Sequence, residues 1–162
     1  FKALHLYCYR VASVVGLLAA EIFGYQDRHT LKYAHDLGLA FQLTNIIRDV
    51  GEDARRDRIY LPADEMAQFG VPDEDILLAR TTDAFRRLME FQIDRAEGFY
   101  EQAFAQLPAQ DRRAQRPGLV MAAIYRTLLR EIRRDGCRVL DRRMALTPIR
   151  KLWIAWRTWS KG

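Results

Sequence analysis

Between Leu37 and Ala54 the chain reads LGLAFQLTNIIRDVGEDA, apolar on nearly every side of a helix except along one line. Gln42, Asn45, Asp49 and Asp53 recur at steps of three and four, and at about 100° per residue they fall within an arc of roughly 80°. Leucine, isoleucine, valine, alanine and phenylalanine fill most of the remaining circumference. A helix apolar nearly all round belongs in an interior, where an uncompensated charge is costly. Like charges at i, i+4 repel, and Gly51 between them weakens the helix by about 1 kcal/mol relative to Ala. Any fold containing this helix must bring something against the stripe.

Two compensations are open. Arg48, Arg55, Arg56 and Arg58 could pair the carboxylates where the helix end opens to solvent. Alternatively the stripe holds a divalent cation, because Mg²⁺ takes carboxylate oxygens and commonly binds through one or two carboxylates plus substrate phosphates. Mn²⁺ could serve in the same role. The arginines beyond the stripe would then hold those phosphates through planar, bidentate contacts.

The periodicity predicts helices over about 2–23, 28–54, 81–106, 112–134 and 147–159, with short helices at 63–69 and 73–79 in a stretch broken by Pro62, Gly70 and Pro72. Long alternating patterns are absent, so the class is all-α, and 162 residues suffice for one domain with its own core. The apolar run nearest to a membrane span, VASVVGLLAA over 11–20, falls short of the roughly 18 residues required. Cys8 and Cys137 make no disulfide or metal pattern, and His5, His29 and His35 lack ligand spacing. On the first helix Tyr7, Val11 and Val15 share a face. That face reads as core, or as the wall of a cation-forming pocket, since an aromatic ring attracts positive charge. Tyr125 has the same ambiguity, its neighbours Met121, Leu128 and Leu129 suggesting burial with one polar handle.

Charge is uneven. Residues 126–162 carry eleven Lys or Arg against three acids, a balance of +8, whereas residues 1–125 sum to −3. A basic tail containing Trp153, Trp156 and Trp159 is either a last helix with a packed tryptophan face or a contact for an anionic membrane surface. No fold motif supports nucleic-acid binding. A Gly-rich phosphate loop, a nucleophile elbow and a Cys/His cluster are all missing. Carboxylates, arginines and an apolar chamber in a helical protein suit ionisation of an organic diphosphate, with water kept from the carbocation.

LGLAFQLTNIIRDVGEDARRDRIYLP, residues 37–62, resembles the second aspartate-rich signature of the squalene/phytoene synthase family, through Gln42, Asn45, Arg48, Asp49, Asp53, Arg58, Tyr60 and Pro62. YCYRVASVVG, residues 7–16, resembles that family's other signature. The resemblance implies an all-helical isoprenoid synthase fold around a central cavity and head-to-head joining of two prenyl diphosphates. It implies Mg²⁺ on Asp49 and Asp53, Asn45 and Gln42 beside them, and Arg48 and Arg58 near the diphosphate. Tyr7 would stand at the reacting carbons, Val11 and Val15 along the prenyl channel, and Tyr125 as the catalytic group of the opposite wall. The motif region has the flavour of hopanoid-pathway members, which favours farnesyl diphosphate as substrate and presqualene diphosphate or squalene as product. The alternatives are phytoene from geranylgeranyl diphosphate, or a noncatalytic relative acting in assembly or at a membrane surface. Use of NADPH is left open.

The family's first aspartate-rich motif has no counterpart before Tyr7. The resemblance therefore covers the C-terminal half or somewhat more of a typical member. The expectation is a domain that is inactive alone, exposes apolar surface where further helices pack, and works at the cytoplasmic face of a membrane.

Overall fold

A computed structural model describes residues 1–161, which form helices joined by loops, with no strand among them. Helix α1, Lys2–Phe23, is α-helical over Lys2–Cys8 and Val14–Phe23, with a π-helical turn over Tyr9–Ser13 between. Helix α2 is His29–Ala54, α3 Ala63–Phe69, α4 Asp73–Leu77, α5 Asp83–Gln106, α6 Arg116–Arg134 and α7 Pro148–Lys161.

The helix bounds differ from the sequence reading where local chemistry overrides periodicity. Thr82 caps α5, its hydroxyl accepting from the Phe85 amide at 3.1 Å, so the helix starts at Asp83. Pro117 sits in the first turn of α6, and a separate 3₁₀ turn, Ala109–Asp111, takes the residues before it. Helix α4 stops at Leu77, and Ala79 beyond it has a positive φ of 54°.

Helix α2 is the axis of the fold, with α1, α5 and α6 all packed on it. Its contact with α5 is the broadest, built from Phe85, Leu88, Met89, Ile93, Ala96 and Tyr100 at helical spacing on the buried face of α5. Thr44 and Tyr100 share a buried hydrogen bond of 3.0 Å across it. Helix α1 approaches α2 closely because Gly38 has no side chain. A Cβ there would lie 2.7 Å from the Ser13 Cα and 2.8 Å from the Ala12 carbonyl oxygen, both on the π turn. The Ser13 hydroxyl then donates to the His35 carbonyl at 3.0 Å.

Three expectations are corrected. The face carrying Tyr7, Val11 and Val15 is not core: these residues are 37%, 42% and 59% exposed, and Leu18 and Ile22 continue the apolar surface. Nor is Trp153, Trp156 and Trp159 a packed face; all three are more than half exposed, and Met121 is exposed as well. Finally, Lys2–Phe23 is by length and composition apolar enough to cross a membrane, with a mean hydropathy of 1.5 in its best window, although no uninterrupted apolar run in it is long enough. In the fold it lies along α2, so the same composition also suits a cavity wall.

Candidate active site

The stripe on α2 is partly open. Gln42, Asn45, Asp49 and Asp53 are partly accessible, while Leu43, Ile46, Ile47 and Val50 on the other sides are buried. Beside Gln42 and Asn45 lies an apolar cavity of about 310 Å³. Helix α1 contributes Val11, Val15 and Phe23 to it, α2 contributes Tyr33 and Phe41, and α6 contributes Met121 and Tyr125. Tyr125 packs on Phe41 with ring centroids 5.0 Å apart. Val11, Val15, Gln42, Asn45 and Tyr125, named from sequence, are thus brought to one chamber.

The acidic end of the stripe lies just past that chamber. Arg48 meets its neighbour Asp49 through two nitrogens, Nε at 2.7 Å and Nη2 at 2.5 Å. Arg143 arrives from the segment before α7 and donates from Nε at 2.9 Å to Asp49 Oδ1, the same oxygen that accepts from Arg48 Nε, with Glu52 at 3.3 Å. Sequence reading missed Arg143, and its signal lay in Gly51. A Cβ at Gly51 would come within 2.5 Å of the Val139 carbonyl oxygen and 2.7 Å of the Leu140 Cα. The glycine that weakens α2 admits the 139–140 backbone, which delivers Arg143.

Asp53 differs. Its carboxylate has no hydrogen bond or ion pair among the described residues. Its neighbours are Arg58, Ile59 and Tyr60, folded back by a turn in which the Arg58 amide donates to the Asp53 carbonyl at 3.0 Å. Asp57 takes the positive φ, 56°, that this turn requires. Tyr60 in turn stacks on Tyr7, centroids 5.4 Å apart, which places Tyr7 at the mouth of the site rather than inside the chamber.

The arginine pairing expected from sequence therefore holds for one carboxylate and not the other. Burial pushes Asp49 upward, but Arg48 and then Arg143 outweigh it and hold its carboxyl below the usual range. Asp53 is pushed above that range, first by burial and then by the charge of Asp49. Burial, the hydrogen bond with Tyr60 and nearby negative charge also raise Tyr7, so its phenol stays protonated at neutral pH.

One atom on the stripe is orphaned: the buried Oδ1 of Asn45 has no hydrogen-bond partner among the described residues. A buried acceptor left unpaired costs about 1–3 kcal/mol. The Asn45 amide oxygen and the carboxylates of Asp49 and Asp53, on successive turns, are oxygen donors of the type a hard divalent cation takes. No group of three or more His, Cys, Asp or Glu that could hold a metal ion occurs among the described residues.

Known proteins resemble this arrangement throughout its length. The family model described as squalene/phytoene synthase matches residues 1–150. Chloroplastic phytoene synthase 2 of Solanum lycopersicum is 41% identical over 158 residues, covering 94% of this chain and 51% of the relative. The 15-cis-phytoene synthase of Synechococcus elongatus is 38% identical over 164 residues, covering 94% and 53%. Among solved structures, a ligand-bound dehydrosqualene synthase superimposes with a TM-score of 0.83 at 32% identity, over 99% of this chain and 56% of that one. Squalene synthase HpnC from Alicyclobacillus acidocaldarius gives 0.73 at 29% identity, over 84% and 52%. The chain thus spans about half the length of these relatives.

Proposed function

Because the chain belongs to the squalene/phytoene synthase family, we propose that the protein joins two prenyl diphosphates head to head and releases diphosphate. The observation that carries this reading is a juxtaposition. An apolar chamber opens beside Asn45, and the acid–arginine end of the same helix stripe continues from it.

Asp49 and Asp53, with Asn45 beside them, would hold Mg²⁺, and Mn²⁺ could substitute. When bound, the ion would neutralise charge on the departing diphosphate. Arg48, Arg58 and Arg143 would bind the phosphate oxygens through charge-assisted hydrogen bonds. Once one substrate has lost diphosphate, Val11, Val15 and Phe41 keep water from its allylic cation. The rings of Tyr7 and Tyr125 face positive charge favourably. The double bond of the second substrate captures the cation; ring closure expels a proton and leaves a cyclopropylcarbinyl diphosphate. The expelled proton would pass to the released diphosphate, with Tyr7 beside the reacting carbons as a proton-transfer or cation-stabilising group.

Chain length is the finer question. The phytoene synthases cited above are 38% and 41% identical, against 32% and 29% for the dehydrosqualene and squalene synthases. The phytoene synthase relatives support geranylgeranyl diphosphate and phytoene, while the dehydrosqualene and squalene synthase neighbours support the farnesyl reading as the alternative. The half of the relatives' length that lies outside the match supports a further reading. We take the exposed apolar face of α1 to be covered by further helices in an active enzyme, so that residues 1–162 alone are inactive. The exposed outer face of α7, Ile149, Leu152, Trp156 and Trp159, supports peripheral contact with the cytoplasmic face of a membrane, where an oily product would leave.

The test is incubation of the full-length protein with farnesyl and geranylgeranyl diphosphates, each with and without Mg²⁺ and NADPH, beside an Asp49→Asn, Asp53→Asn variant. Metal-dependent coupling that disappears in the variant is the expected result. A folded protein that couples neither substrate would move the assignment to the noncatalytic alternative.

A further inference from the structure

We infer that the basic groove between α6 and α7 seats the phosphate of an anionic phospholipid and so fixes the outer face of α7 on a bilayer. This rests on the membrane reading of α7 above and gives that contact a chemical partner.

Helix α6 has two working faces. Gly118, Met121 and Tyr125 line the apolar chamber, whereas Leu119, Ala123 and Arg130 line a separate groove of about 630 Å³ closed on its far side by α7. Six arginines border that groove, Arg112, Arg116, Arg126, Arg130, Arg150 and Arg157, and no acidic residue does. Two of them are already compensated: Arg126 by Glu97 at 2.6 Å and Arg150 by Glu131 at 2.7 Å. Arg112, Arg116, Arg130 and Arg157 have no ion pair among the described residues.

The uncompensated arginines are partly held in place. Arg116 lies 5.5 Å from the Trp159 ring and Arg157 lies 5.2 Å from the Trp153 ring. The Nε of Arg116 is buried with no hydrogen-bond partner among the described residues. Like charges restrained around one concavity repel unless an anion joins them, and a planar guanidinium fork matches phosphate oxygens. The groove floor, formed by Phe104, Leu119, Trp153 and Ile154, is apolar, so the ligand it suits carries a hydrocarbon part next to its phosphate.

The outer face of α7 decides the source of that phosphate. Ile149, Leu152, Trp156 and Trp159 fall within about 80° of arc at 100° per residue. They are 80%, 70%, 69% and 54% exposed, and at their edge the Trp159 ring meets Arg116 of the groove. Nucleic acid and soluble phosphates offer nothing for such a face. The headgroup zone of a bilayer receives tryptophan and aliphatic side chains while presenting phosphate at the same depth.

The experiment is co-sedimentation of the full-chain protein with vesicles of phosphatidylcholine alone or mixed with phosphatidylglycerol. The parent is compared with Arg130→Gln/Arg157→Gln, two exposed groove positions, and with Leu152→Ser/Trp156→Ser on the outer face. Folding is checked by helical circular dichroism. The parent should prefer the anionic vesicles. The arginine pair should lose about fivefold per residue, roughly 25-fold together, on anionic vesicles only. The serine pair should lose binding to both. An arginine pair that keeps the parental preference overturns the groove site, as does displacement of the parent from vesicles by low-millimolar glycerol phosphate, which would mark a free-phosphate site. Equal binding of the parent to both vesicle types leaves the membrane reading standing and removes this one. Binding to neither removes both.

Discussion

Replacing Gly51 with alanine sets two effects of opposite sign against each other. In an open helix the change stabilises by about 1 kcal/mol. Here the new Cβ would lie 2.5 Å from the Val139 carbonyl oxygen, 2.6 Å from the Leu140 carbonyl oxygen and 2.7 Å from the Leu140 Cα. All three are backbone atoms, which cannot swing aside as a side-chain end can, so the cost belongs near the top of the roughly 1–3 kcal/mol range for overpacking. The net loss is about 2 kcal/mol, and at about 2–4 °C per kcal/mol for a chain of this size the melting temperature should fall by about 4–8 °C. Gly98→Ala is the internal control. It is also helical, with nothing within 4 Å of the added Cβ, so it should raise the midpoint by about 2–4 °C. Thermal melts followed by far-ultraviolet circular dichroism decide it. If Gly51→Ala melts as high as Gly98→Ala, the close approach of the 139–140 backbone is not what requires glycine, and the account of how Arg143 reaches Asp49 fails with it.

Asp49→Asn and Asp53→Asn should act on stability in opposite directions. Asp49 is held low by Arg48 and Arg143, so its contribution is complete above the unfolded value of about 3.9 and is lost as pH falls from there through its lower folded value. Asp53 is raised, so its ionisation opposes folding at neutral pH and that penalty lifts as pH falls through its folded value. Denaturant unfolding near pH 7 should therefore show Asp49→Asn weaker and Asp53→Asn slightly stronger than the parent, and each difference should shrink as pH falls through the folded value of its carboxyl. Val15→Phe places a ring in the chamber and should reduce kcat/KM for the C20 diphosphate at least tenfold more than for the C15; equal losses would show that Val15 does not bound the prenyl channel. Asn45→Leu removes a buried acceptor that lacks a partner, so it should leave the melting temperature unchanged or up to about 4 °C higher. The upward shift that Mg²⁺ with diphosphate gives the parent should vanish in that variant, and its persistence would exclude Asn45 from the donor set.

Much of this was legible because α2 is so constrained. A helix with so many buried apolar residues shows its polar line in the sequence, and the donors on it were readable as a stripe before any fold was known. The existence of the main helices was equally plain, while their starts depended on a threonine cap and a proline that periodicity does not weigh. What could not be read was the partner of Asp49. Arg143 is 94 residues away in sequence, one of many arginines in a basic tail, and only its fold position distinguishes it. The exposure of Val15 and Trp156 was also hidden, because an apolar face has the same pattern whether it meets core, substrate, membrane or another part of the protein.

The two carboxylates also explain how one helix can keep such a stripe without an ion bound. If both were free they would repel across one turn in a half-buried setting, and the helix would lose part of what Ile46, Ile47 and Val50 gain by burial. Arg48 and Arg143 remove that conflict at Asp49 and leave Asp53 as the acid without a fixed partner. On the proposed function, a cation arriving at Asp53 would meet one carboxylate without a fixed partner and one whose guanidinium partners would turn from carboxylate to phosphate. On that reading Arg48 and Arg143, which pair with Asp49, would be the groups to receive the ligand's phosphates.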